Sequence, residues 1–67
     1  MAGTAGDNWI RVIRPHMRAD EWMTPREIAV RAQVSNMRVG LILEFAHRNR
    51  FVEFGMKGGR SVYRLRR

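Results

Sequence analysis

The chain contains no cysteine, which excludes a disulfide framework and a thiolate metal site. Its only histidines, His16 and His47, form neither a ligand cluster nor a proton relay. Its two serines, Ser35 and Ser61, fall where a helix cap and a strand residue are expected, so no nucleophile–base pair emerges. Gly58-Gly59 is followed by no helix and is therefore not a phosphate-cradling loop. No enzyme, cofactor or metal is expected on these grounds. No apolar run approaches the ~20 residues of a membrane span. The opening Met-Ala-Gly-Thr-Ala-Gly has neither a charged leader nor an apolar stretch and is read as no signal peptide. The expectation is a flexible tail over residues 1–7 ahead of one domain over 8–67, in a cytoplasmic protein that does not enter a membrane.

Carboxylates are also scarce. Thirteen basic side chains face six acidic ones, a net charge of +7 in 67 residues, and twelve of the thirteen are arginine. The excess is lopsided. Residues 1–33 hold five basic groups against four carboxylates, a net +1, whereas residues 34–67 hold eight against two, a net +6. Solubility charge would explain the total but not the asymmetry. A cationic pole of this kind is the footprint of a polyanion binder.

What the chain does possess is a stretch with two helix starts, Thr24 to Phe45. Thr24 is suited to an N-cap, Pro25 to the first helical position, and Glu27 to closing a capping box. Ile28, Ala29 and Ala32 then share one helical face. Val34 interrupts that run, Ser35 offers a second N-cap, and Val39, Ile42, Leu43 and Ala46 form the next apolar face. Two capped helices separated by a short turn, with a small Ala29 where they cross and Val34 plugging the gap, make a helix-turn-helix signature.

On either side the pattern continues. Asp7 or Asn8 is expected to cap a first helix running to about Met17, with Trp9, Val12, Ile13 and His16 or Met17 along one stripe and Pro15 ending or kinking it. Trp9 is expected in the core. Trp22-Met23 suits a short strand or a hydrophobic staple before the Thr24 cap. The second helix of the pair should run to about Arg48 and stop at Asn49. From Phe51 the period becomes alternating: a strand over Phe51–Phe54, a turn over residues 55–60, and a strand over Ser61–Leu65. Val52, Phe54, Tyr63 and Leu65 would share one face, leaving Glu53 and Arg64 outside.

This order resembles the winged helix-turn-helix DNA-binding domains, and the resemblance covers roughly residues 8–65. It implies an α+β fold of three helices with a C-terminal β-hairpin wing, and a brief strand near Trp22-Met23 pairing with that hairpin. Gln33 departs from the simpler helix-turn-helix proteins, which often place a positive-φ glycine there, so a different turn is expected. The resemblance implies double-stranded DNA as partner and a small transcriptional regulator as function. The outward face of the second helix of the pair carries the candidate base readers Asn36, Met37, Arg38, Gly40 and Leu41, with Glu44 beside them. Asn can bond adenine bidentately and Arg can bond guanine. Gly40 in mid-helix costs roughly 1 kcal/mol relative to Ala, which close approach to DNA or a close helix–helix contact would equally explain. Arg48, Lys57, Arg60 and Arg64 are the candidate phosphate contacts, continued by Arg50, Arg66 and Arg67. The rival expectation is a protein-interaction module docking on a nucleic-acid-processing complex through Leu41 and Phe45, with Phe45 the better core residue. A monomer in solution, or a dimer formed on DNA, is the expected state.

Overall fold

The computed structural model describes residues 4–67. Its order is α1 (Ala5–Asn8), a π-helical stretch Trp9–Ile13, a 3₁₀ turn Arg14–His16, α2 (Pro25–Ala32), α3 (Asn36–Arg48), β1 (Val52–Lys57) and β2 (Arg60–Leu65). The first three form one helical segment. The domain is thus an α+β fold of three helices followed by a two-stranded antiparallel hairpin, the layout of a winged helix-turn-helix.

The N-terminal segment begins earlier than Asp7 or Asn8. Thr4 is its cap, its hydroxyl accepting from the Asp7 N–H, so residues 4–7, expected in the tail, form the cap and first turn instead. Met1–Gly3 lie outside the described residues. Pro15 shapes the rest. Without an N–H it cannot continue the α-helical ladder, and the segment widens to π geometry, with Arg14 N–H donating to the Trp9 carbonyl, before tightening into the 3₁₀ turn. Trp9, Ile13 and Met17 are buried along it.

Both caps of the helix pair form as expected. Thr24 and Glu27 make the reciprocal capping box, at 3.1 and 2.8 Å, and the Ser35 hydroxyl accepts from the Arg38 N–H. Ile28 and Ala29 of α2 meet Val39, Ile42, Leu43 and Ala46 of α3 in a single core, with Ala32 and Val34 packed against it.

The turn between the helices corrects one expectation. Gln33 itself takes the left-handed conformation (φ 60°, ψ 44°) that glycine usually supplies. Its N–H donates to the Val30 carbonyl and that of Val34 to the Ala29 carbonyl, the paired bonds of a Schellman motif. Helix α3 ends in the same way. Arg50 has φ 61°, and the N–H groups of Arg50 and Phe51 reach the His47 and Ala46 carbonyls.

The hairpin is longer and its turn tighter than expected. Strand β1 continues through Lys57, and only Gly58 and Gly59 turn, both at positive φ as a two-residue primed turn requires. Val52 is buried and Tyr63 and Leu65 pack against the core, whereas Phe54 on the same face stays exposed and lies edge-on to Tyr63. The opposite face is not open to solvent. Trp22 lies over Gly55, where an added Cβ would come within 3.2 Å of the indole and 3.5 Å of Val62, and Val62 is buried there. The short strand expected near Trp22-Met23 is a single bridge, Met23 exchanging both backbone bonds with Tyr63 at 2.9 and 2.8 Å. No helix among the described residues is long and apolar enough to cross a membrane.

Candidate nucleic-acid interface

Helix α3 buries one face and bares the other. Asn36, Met37, Arg38, Gly40, Leu41 and Glu44 are all exposed, Met37 and Leu41 being 79% and 65% accessible although apolar. Gly40 settles one of the two explanations left open for it. A Cβ built there meets no heavy atom within 4 Å, so no helix packs against it and the fold does not require a glycine. The first turn of α3 also carries no acidic residue, leaving the positive end of its dipole uncompensated.

The candidate cations divide by how they are held. Arg38 extends from the first turn of α3 toward the N-terminal segment, its Nη2 donating to Asn8 Oδ1 at 3.4 Å. Arg48 pairs with Glu44 at 2.7 Å, one turn apart and well exposed, so it can leave that partner with little loss of stability. Arg64 is different. Its Nε donates to Glu53 at 2.6 Å and its guanidinium lies 4.3 Å from the centre of the Trp22 ring. Carboxylate and indole together hold it on the covered face of the hairpin, so the open outer position expected for Arg64 is not what the structure shows. The same bond, with the Arg64, Arg66 and Arg67 charges adding to it, holds the Glu53 carboxyl below the usual carboxylate range.

Lys57 and Arg60 remain. They are exposed, adjacent to Gly58-Gly59, and directly opposite one another in the hairpin register. Neither has a carboxylate within salt-bridge distance among the described residues. Like charges in direct cross-strand register repel, so the tip concentrates positive charge that no ion pair neutralises, Glu27 acting on Arg60 only from a distance. Glu27, across from β2, is lowered chiefly by its bonds to Thr24, with Arg31 and Arg60 contributing.

Phe45 is half-buried. It lies edge-on to Phe51, centroids 6.1 Å apart, and its ring approaches Gly6; Leu41, one turn earlier, is free. Two open hollows flank the end of α3. One, of about 690 Å³, is lined by residues including His47, Arg48 and Phe54; the other, of about 570 Å³, lies between the N-terminal segment and the hairpin base. Arg50 and Arg66 border both. Arg14 joins them at the second, an association invisible in the sequence because the three residues come from three separate parts of the chain. The place of Trp22 is invisible in the sequence for the same reason: its partners Gly55 and Arg64 are more than thirty residues away. Among the described residues there is no cluster of His, Asp and Glu suited to a metal ion.

No family model, no curated protein and no solved structure matches this chain.

Proposed function

We propose that this chain is a winged helix-turn-helix domain that binds double-stranded DNA, in the manner of a small transcriptional regulator. The observation that carries the reading is the bare face of α3. Asn36, Met37, Arg38, Gly40 and Leu41 stand clear of the core on a rigid helix whose other face is fully buried, with a glycine that no internal packing demands. A major groove admits one helix, and a missing side chain lets that helix approach closely. The unneutralised pair at the hairpin tip supplies phosphate contacts beside it, and Arg48 can be released from Glu44 to add another.

The test is titration of random-sequence duplex across a series of salt concentrations. With about four to six phosphates contacted, log K should fall against log salt with a slope of roughly −4 to −5. A slope near zero, or no binding at low salt, overturns the reading. The exposure of Met37 and Leu41 favours a second reading, a protein-interaction module, since adjacent bare apolar side chains mark contact surfaces; absence of duplex binding would leave that reading standing.

A further inference from the structure

The second hollow, of about 570 Å³, combines an apolar floor with a cationic rim. Trp9 and Phe51 stack on the floor with centroids 6.1 Å apart and planes 16° from parallel, and Phe45 meets Phe51 edge-on. Arg14, Arg50, Arg66 and Arg67 border it, and no acidic residue does. None of the four guanidinium groups is within salt-bridge distance of a carboxylate among the described residues, although five of the six acidic side chains of the chain are engaged with arginines elsewhere. Arg50 holds its place at a backbone position, φ 61°, that glycine adopts without strain. Local geometry alone therefore does not call for an arginine there.

We propose that this hollow is a docking site for an acidic peptide segment of a partner protein. An aromatic or large aliphatic anchor of that segment would sit on Phe45 and Phe51, which Trp9 backs from beneath, and flanking carboxylates would pair with the rim. The charge is complementary, and guanidinium groups match carboxylates bidentately. The concave shape and apolar floor suit an inserted side chain, whereas a duplex presents a phosphate ridge with nothing apolar to insert. The site is also set apart from the wing tip. Leu65, which borders the hollow, pairs with Val52 at the hairpin base, and five residue steps of about 3.4 Å separate that base from Lys57, roughly 17 Å. The proposal does not rest on DNA binding, and a chain using both surfaces would tether the partner to the duplex.

The experiment follows backbone amide shifts of the full chain during titration with a short synthetic peptide in which Phe and Leu are flanked by Asp and Glu. Two controls replace either the acids by their amides or Phe and Leu by Ser. Saturable shifts at Gly6, Arg50 and Phe51 are expected, with a change in Trp9 emission and weaker binding of both controls. Arg50→Gly keeps the backbone geometry and should weaken the peptide about three- to fivefold, the scale of one partly exposed ion pair. Lys57→Ala with Arg60→Ala should leave the peptide's affinity unchanged. The proposal is overturned by shifts centred on the hairpin tip, by equal binding of the Ser control, by no binding, or by a random duplex that shifts the same amides and displaces the peptide. Peptide binding without duplex binding would instead sink the DNA reading alone.

Discussion

Lys57 stands directly opposite Arg60 across the Gly58-Gly59 turn, two cations in register with no carboxylate to separate them. A cross-strand pair of like charge opposes the hairpin it belongs to. Lys57→Glu should therefore stabilise the domain by about 0.2–1 kcal/mol, by making an opposite-charge pair, while weakening duplex binding at low salt. Thermal melting and a duplex titration on the same variant check both halves. If the variant neither stabilises nor loses affinity, the tip is solvated charge without a role.

The capping residues and the apolar faces of α2 and α3 were legible in the sequence because they depend on neighbours within one or two turns. Thr24, Glu27 and Ser35 cap as their positions demand, and Val39, Ile42, Leu43 and Ala46 are all buried. The alternation after Phe51 likewise located the hairpin. Its second face was not legible, since what lies over Gly55 and Arg64 on that face is Trp22 from a distant connector. For the candidate site, the exposed residues of α3 followed from the helical period. The engagement of Arg64 and the gathering of Arg14, Arg50 and Arg66 depend on tertiary pairing, which no local pattern encodes.

The Gly40 site sets stability against function. Gly40→Ala meets no neighbour and should raise stability by about 1 kcal/mol, the cost of glycine in a helix interior. On the DNA reading the same methyl group stands between α3 and the groove, so affinity for duplex should drop. Should the variant gain stability and bind as before, Gly40 is not a close-approach position.

Gln33 carries a backbone strain that its side chain does not need. Its side chain makes no hydrogen bond among the described residues, while its backbone bonds close the end of α2. Gln33→Gly should stabilise by about 0.5–1 kcal/mol, the relief of the left-handed conformation exceeding the extra freedom of the unfolded chain. A urea titration reads this directly; a lower midpoint would show that the turn is held by something other than its φ angle.

Acid should weaken the fold through two carboxyls. Glu27 is lowered first by the Thr24 backbone bond, then by the Thr24 hydroxyl, and Glu53 first by Arg64. A group whose pKa is lower in the folded state contributes stability above its unfolded value, about 4.3 for Glu, and that contribution disappears as pH falls through the folded value. Glu27→Gln and Glu53→Gln should each be less stable than the parent at neutral pH. Their melting curves should converge on the parent's as the pH falls through the lowered folded-state values and the carboxyls take up protons. A constant gap across the whole range would assign the loss to packing rather than ionisation.

The last prediction separates positioning from reading. Lys57 and Arg60 sit at the tip of a two-stranded ribbon, beyond the last packed residue, where they can follow a phosphate but cannot hold a base edge in register. Arg38 sits on the first turn of α3, and its only side-chain partner among the described residues is the uncharged amide of Asn8, whose Oδ1 accepts at a long 3.4 Å in an exposed position. Breaking that bond takes little energy, so the guanidinium is available for a bidentate contact with guanine. Replacing both tip residues with Ala should weaken all duplexes about equally and reduce the salt slope by about 1 for each phosphate no longer neutralised. Arg38→Ala should cost roughly 1–3 kcal/mol on a selected site and little on a scrambled one. Asn8→Ala, which removes the one side-chain acceptor of Arg38 among the described residues, should leave discrimination intact or improve it. Measured against both sites across several salt concentrations, loss of discrimination in the tip variant and its retention in Arg38→Ala would reverse the roles of wing and helix.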